Sequence, residues 1–220
     1  LCGDTRVGIG SGDPLLGDKV IDAKYGRGAG WILEDITARL RQNGITTIKG
    51  IIVDSSIFDD QRVHPNWPKE QLNRWYACEV SGLNFNGNCI DVTAKNVGGK
   101  VIVSIEPKTD FIEIINKVVP TRRAKGAVGA YRTRQPNKII VKGRCKKQQG
   151  PFPAAIERPA AFFGHLLAEN LISAGINVEG QIVEKPVDEG CNVRVLGEYT
   201  SSIADCLARC NKDSFGLAAE

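Results

Sequence analysis

With 220 residues and 42% hydrophobic content, the chain has enough apolar matter to bury the core of one large domain or two small ones. No run of eighteen or more apolar residues occurs, which excludes a membrane-spanning helix from this sequence. The net charge of +4 is unevenly spread: residues 95–149 hold fourteen Lys and Arg against Glu106, Asp110 and Glu113, so the remainder is net acidic.

In chain order, residues 5–10 read as a strand running into the tight turn Gly10-Ser11-Gly12-Asp13-Pro14. Gly8, Gly10 and Gly12 have the spacing of a dinucleotide loop. However, Asp13 and Pro14 put a carboxylate and a missing N–H where a pyrophosphate needs free donors. No Walker sequence occurs. Ile32, Leu33, Ile36 and Leu40 mark an amphipathic helix over residues 31–42, stopped by Asn43-Gly44. Residues 45–54 then read as a strand. The same construction returns as a helix over residues 160–174, a stop at Gly175 and a strand INVEGQIVE. The likeness of NGITTIKGIIVD and AGINVEGQIVE implies two similar helix–strand units in α/β layers.

Between these units, His64 stands near Asp59 and Asp60, a set with metal or acid–base potential. Pro65 and Pro68 point instead to a rigid loop with a packing role, followed by a short helical stretch to Tyr76. Asn86-Gly87, flanked by apolar residues, predicts a hairpin. Residues 100–106, 111–115, 127–134 and 138–142 continue as short strands of an antiparallel sheet carrying the basic block. Pro151, Pro153 and Pro159 mark the return to the second helix–strand unit, and residues 192–198 give one more strand.

The last stretch, YTSSIADCLARCNKDSFGLAAE, predicts a helix with Ile203, Leu207 and Cys210 on one apolar face and a cap among Thr200, Ser201 and Ser202. A polar turn over residues 211–214 follows, so Ser214 stands just past a helix, placed either to face a cleft or to cap the next helix. The seven cysteines contain no C-x-x-C pair, and only His64 and His165 exist to complete a metal site, so buried apolar roles are expected for them, with disulfides as the alternative and an odd count that leaves at least one thiol unpaired. The basic block reads either as a solvated face or as a surface for an anionic polymer. Its few aromatics, Phe111 and Tyr131, argue against single-stranded nucleic acid. No Met is present, and both ends read as cuts, so the presence of a signal peptide stays open.

Taken together, GIGSGDP, GITTIKGIIVDSSIFD, WPKEQLNRWYACEVSGLNFNGN, LISAGINVEG and the final YTSSIADCLARCNKDSFGLAAE resemble the D-alanyl-D-alanine carboxypeptidase/endopeptidase family of low-molecular-mass penicillin-binding proteins. The resemblance covers nearly the whole chain. It implies a mixed α/β (α+β) fold: inserted domains of a penicillin-binding-protein-like serine peptidase, with helix–strand layers and an antiparallel β subdomain. The implied divisions are 1–76 and 77–150 for a first unit and a basic β subdomain, 151–195 for a second helix–strand unit, and 196–220 for the start of the peptidase domain. It implies three motifs, S-x-x-K, S-x-N and K-T-G. No serine here is followed by S-x-x-K spacing, and Lys108-Thr109 precedes Asp110 rather than Gly. Ser214 falls at the S-x-N serine, a proton relay, and Gly216 stands where the substrate-binding asparagine is usual. The resemblance further implies no metal or organic cofactor, a peptidoglycan peptide ending in D-Ala-D-Ala as substrate, β-lactams as ligands of the complete protein, no nucleic acid, and a periplasmic or otherwise extracytoplasmic location. The 220 residues alone are expected to be inactive. The alternative is a non-catalytic relative that binds a cell-wall polymer or protein partner through its basic subdomain.

Overall fold

The computed structural model describes residues 6–122, 126–188, 190 and 193–219. The chain begins with β1 (Arg6–Ile9), α1 (Lys19–Lys24), α2 (Trp31–Gln42), β2 (Thr47–Ile48) and β3 (Ile51–Asp54). Six strands follow: β4 (Cys89–Val97), β5 (Lys100–Glu106), β6 (Glu113–Pro120), β7 (Val128–Arg132), β8 (Lys138–Cys145) and β9 (Gln148–Ala155). It closes with α3 (Pro159–Ser173), β10 (Asn177–Val178), β11 (Ile182–Glu184) and α4 (Ile203–Asp213).

The two helix–strand units lie side by side. The expected strand over 45–54 divides at Gly50 into β2 and β3, and each half pairs in parallel with its counterpart: Thr47 with Asn177, Ile51 with Ile182. β1 completes a parallel sheet in the order β1-β3-β11. The backbones cross so closely at this break that a Cβ on Gly180 would fall inside the carbonyl oxygen of Lys49. α2 buries Ile32, Leu33 and Leu40, as its periodicity requires. α3 is apolar nearly all round, because it is covered on several sides. Its Phe162, fully buried, lies within 6.5 Å of the rings of Phe85 and Phe111 and joins the parallel sheet to the β-rich part in one core.

The β-rich part differs from a single antiparallel sheet. It is two three-stranded sheets: β5-β4-β9, antiparallel throughout, and β6-β8-β7, in which β6 and β8 run parallel. Side-chain alternation reports which face is buried, not which way a neighbouring strand runs. β9 carries Pro151 and Pro153, and it lies at the edge of its sheet, where a missing N–H is tolerated.

Other expectations are corrected. Asn86-Gly87 makes no hairpin; Asn86, Gly87 and Asn88 all take left-handed backbone in a 3-10 turn. There the Asn88 side chain accepts from Phe85 N (3.1 Å) and donates to Glu79 O (2.8 Å) and Asn84 Oδ1 (2.7 Å), replacing ladder bonds with side-chain bonds. The stretch before Tyr76 forms two 3-10 turns, Lys69–Gln71 and Trp75–Ala77, not one helix. The expected strand over 192–198 does not form at 193–198, which take no regular secondary structure, and Asn192 lies outside the described residues. α4 runs on to Asp213, through the expected polar turn. α1 was not anticipated from its six residues. Among the described residues, no helix is long and apolar enough to cross a membrane.

Candidate functional site

The site of interest is the end of α4. Ser202 caps its start: the hydroxyl accepts from Asp205 N at 3.1 Å and donates to Asp205 Oδ2 at 2.8 Å. The helix is mounted by its polar side. Asp205 is buried and receives Lys24 Nζ at 2.5 Å and Tyr25 OH at 2.8 Å. Those bonds, led by that from Lys24, hold its carboxyl down to about 2. Arg209 forms a fork on Asp18, at 3.2 and 2.8 Å, and also reaches Asp213 at 2.5 Å. Asp18 meanwhile caps α1 by accepting from Val20 N and Ile21 N, both at 3.0 Å. α1 and α4 are therefore clamped by charge pairs whose shared carboxylates, Asp18 and Asp205, are buried. The expected apolar face is turned outward, with Ile203 77% and Leu207 55% exposed.

The clamp continues into the turn. The Arg209 guanidinium lies 4.8 Å over the Phe215 ring, whose other neighbour is Trp75, stacked at 6.4 Å and 14°. Phe215 is buried with Leu15, Ile21 and Leu217. Gly87 completes the socket, since a Cβ there would come within 3.2 Å of the ring. Phe215 N closes back on Arg209 O at 3.3 Å, and Ser214 is left in the left-handed conformation, φ 53° and ψ 38°. Ser214 is thus the C-terminal cap of α4. It does not cap the next turn (Gly216–Ala218), whose cap position is Phe215, without a side-chain bond. Its side chain is exposed, and among the described residues its hydroxyl has no hydrogen-bond partner.

Gly216 packs against the turn at Tyr76: a Cβ would sit 3.2 Å from the Tyr76 carbonyl oxygen, so an asparagine needs that carbonyl to yield a few tenths of an ångström. A cavity of about 280 Å³ opens beside this turn, between Asp18, Trp75, Asp91, Arg209 and Phe215. A larger one, about 480 Å³, lies elsewhere, between β1, α2, α3 and residues 193–200. That segment is fastened to α2 by Tyr199 OH on Asp35 (2.6 Å) and Arg39 Nη1 on Leu196 O (3.2 Å). Burial and the Asp35 carboxylate push the Tyr199 hydroxyl well up.

The other sequence candidates resolve into structure. His64 Nδ1 accepts from Asn66 N, and Asp59 from Gln61 N, so both serve local turns. His165 stacks on Phe111 at 4.5 Å, and burial lowers its pKa. Gly10 permits backbone contact with Gly82, where any Cβ would collide. Cys78, Cys89 and Cys145 are buried free thiols; burial pushes Cys78 up to about 12 and Cys89 higher than usual. Cys2 and Cys191 lie outside the described residues. Among the described residues, no three His, Cys, Asp or Glu converge as a metal site. What sequence reasoning missed is the seat: Asp18, Trp75 and Gly87 are distant from Ser214 in the chain, and nothing local to Ser214 points to them. The only local trace is the i,i+4 spacing of Arg209 and Asp213.

Comparison with known proteins decides the family. The model of the D-Ala-D-Ala carboxypeptidase 3 (S13) family matches residues 4–220. The chain belongs to this family. A curated relative, the D-alanyl-D-alanine carboxypeptidase of Actinomadura sp. (strain R39), is 27% identical over 212 residues, covering 88% of this chain and 36% of the relative. The fold is similar to penicillin binding protein 4 (dacB) from Haemophilus influenzae, with a TM-score of 0.72 at 20% identity over 98% of this chain and 46% of that one. The same protein complexed with a novel β-lactam matches with a TM-score of 0.60 at 18% identity, over 98% and 44%. The chain thus spans about a third of the curated relative and under half of the solved structures. The likeness establishes the mixed α/β, penicillin-binding-protein-like fold.

Proposed function

We propose that this chain is part of a serine-type D-Ala-D-Ala carboxypeptidase or endopeptidase that acts on peptidoglycan peptides, outside the cytoplasm, through an acyl-serine intermediate. The observation that carries the reading is the family match over residues 4–220. Acyl transfer needs a hydroxyl beside a base and donors for the oxyanion. None of the serines here has the S-x-x-K lysine, so nucleophile and base come from outside these 220 residues. Within them, Ser214 supplies the hydroxyl that passes a proton to the leaving amine. Its exposure and its rigid seat over Phe215 support that role. Residues 196–220 open the catalytic domain in this reading. Residues 1–195 form the units inserted before it, divided near 76 and 150.

Gly216 favours one alternative. Lacking a side-chain amide, it removes one substrate hydrogen bond, as in a relative without activity whose inserted units bind a cell-wall polymer or partner protein.

The test is D-Ala release from an N-acylated peptide ending in D-Ala-D-Ala by the complete polypeptide. The proposal expects turnover that Ser214→Ala slows; no turnover by the intact polypeptide would select the alternative. The 220-residue chain alone is expected to form no adduct with a fluorescent penicillin.

A further inference from the structure

The β-rich part is polarised in charge from end to end. No Asp or Glu occurs in residues 92–105 or 114–156. The three acids of residues 95–149 all lie at the end next to α3: Glu106 is in register with Asp91, Asp110 N bonds to Glu169, and Glu113 pairs with Lys138. The far end is assembled from the turns β4–β5 and β8–β9 and from the last residues of β6. Asn96 ties the two turns together, with its N on Lys147 O (2.8 Å) and Nδ2 on Lys146 O (3.0 Å), and Thr121 N reaches Cys145 O (3.0 Å).

At this end Lys95, Lys100, Arg122, Lys146 and Lys147 are exposed. Beside them, β8 buries Ile139, Val141 and Cys145 and so turns Lys142 and Arg144 outward. Their partners in register on β6 are Lys117 and Val119, both exposed on the same face. Among the described residues none of these eight cations has a carboxylate partner. An ordinary solvated face intersperses both signs, because like charges repel; here no carboxylate among the described residues offsets the repulsion.

We propose that this end of the β-rich part is a docking surface for a flexible polymer with a phosphodiester backbone, of the polyol-phosphate kind. Lys142 and Arg144 are about 6.6 Å apart along β8, with Lys117 about 4.8 Å across the sheet, a graded row of cations that such a backbone can follow. Lys is a compact cation for phosphate, and Arg144 adds a planar fork. Nucleic acid fits less well, since stacking needs free aromatic faces. Tyr131, the one exposed ring on this sheet, lies against Gly129 and under the Lys142 ammonium at 4.4 Å. A bilayer surface also fits less well, because the exposed apolar groups at this end, Val97, Ile102 and Val119, include none of the Trp, Phe or Leu of interfacial anchors. The proposal does not depend on peptidase activity.

The test is fluorescence anisotropy of end-labelled, deacylated poly(glycerol phosphate) with the 220-residue chain over a salt series. The chain should bind at low salt. Lys117→Ala/Lys142→Ala/Arg144→Ala should lower affinity and make the slope of log affinity against log salt shallower by about 2, at roughly 0.7 per cation removed. Lys146→Ala/Lys147→Ala, confined to a turn, should lower it independently. Lys49→Ala/Lys69→Ala/Arg74→Ala, the same charge change elsewhere, should leave it unchanged. Absence of low-salt binding overturns the proposal, as does equal loss in the remote triple variant. Tighter binding to an oligonucleotide of equal charge, or to phosphatidylglycerol vesicles, also overturns it.

Discussion

Replacing Arg209 by Met tests the clamp that seats Ser214. Arg209 and Asp18 are 13% and 6% exposed at the side chain, so this is a buried pair. Removing one partner of such a pair costs about 3–5 kcal/mol because the other charge is left without compensation. Asp18 still accepts from Val20 N and Ile21 N, which brings the expected loss to about 2–3 kcal/mol. For a chain of this size that lowers the melting temperature by about 4–12 °C. The pairwise part is isolated by a cycle with Asp18→Asn, which keeps an N-cap on α1 while discharging it. Urea unfolding of the four proteins should give a coupling well above 0.5 kcal/mol, with the Trp75 fluorescence of the Phe215 socket altered in the Arg209→Met proteins. A coupling near zero would refute the view that α4 is mounted by charge.

Three further outcomes follow from the same geometry. Asp205 has a folded pKa of about 2, below its ordinary value, so its stabilising contribution is present above about pH 4 and is lost as pH falls towards 2; the stability gap between wild type and Asp205→Asn should close over that window in acid-series unfolding, and a gap independent of pH would contradict it. Gly180→Ala drives a Cβ into the Lys49 carbonyl, and unfolding should show a loss of about 1–3 kcal/mol; no loss would mean the β2–β3 break is not set by that approach. Ser214→Gly relieves left-handed strain but loosens the unfolded chain, so its stability should stay within about 0.5 kcal/mol of wild type. In the complete polypeptide the same change should cut D-Ala release by roughly 10²–10⁴-fold, and an equal fall in stability would make Ser214 a structural residue.

Where periodicity and caps act locally, the sequence was legible. α2 with its Asn43-Gly44 stop, α3, and the Ser202 cap of α4 follow from residues within a turn or two of each other. The likeness of NGITTIKGIIVD and AGINVEGQIVE became a physical neighbourhood, because the two strands of each unit pair with those of the other. What failed depended on specific side-chain bonds that composition and periodicity do not show. Asn86-Gly87 has the composition of a hairpin, yet Asn88 bonds the loop to itself. The apolar stripe of α4 implied burial of Ile203 and Leu207, but the pairs with Lys24 and Asp18, some 180 residues earlier, bury the opposite side. Ser214 was identified by its motif wording, while its left-handed backbone depends on Trp75 and Gly87. Gly216 has a packing reason in the Tyr76 carbonyl that no motif discloses.

The most direct measurement is intact-mass analysis and peptide mapping of the complete polypeptide after exposure to benzylpenicillin. The account predicts one penicilloyl adduct, on a serine of an S-x-x-K motif outside residues 1–220, formed more slowly in Ser214→Ala. An adduct on any serine within residues 1–220, or no adduct on the folded polypeptide, would contradict it.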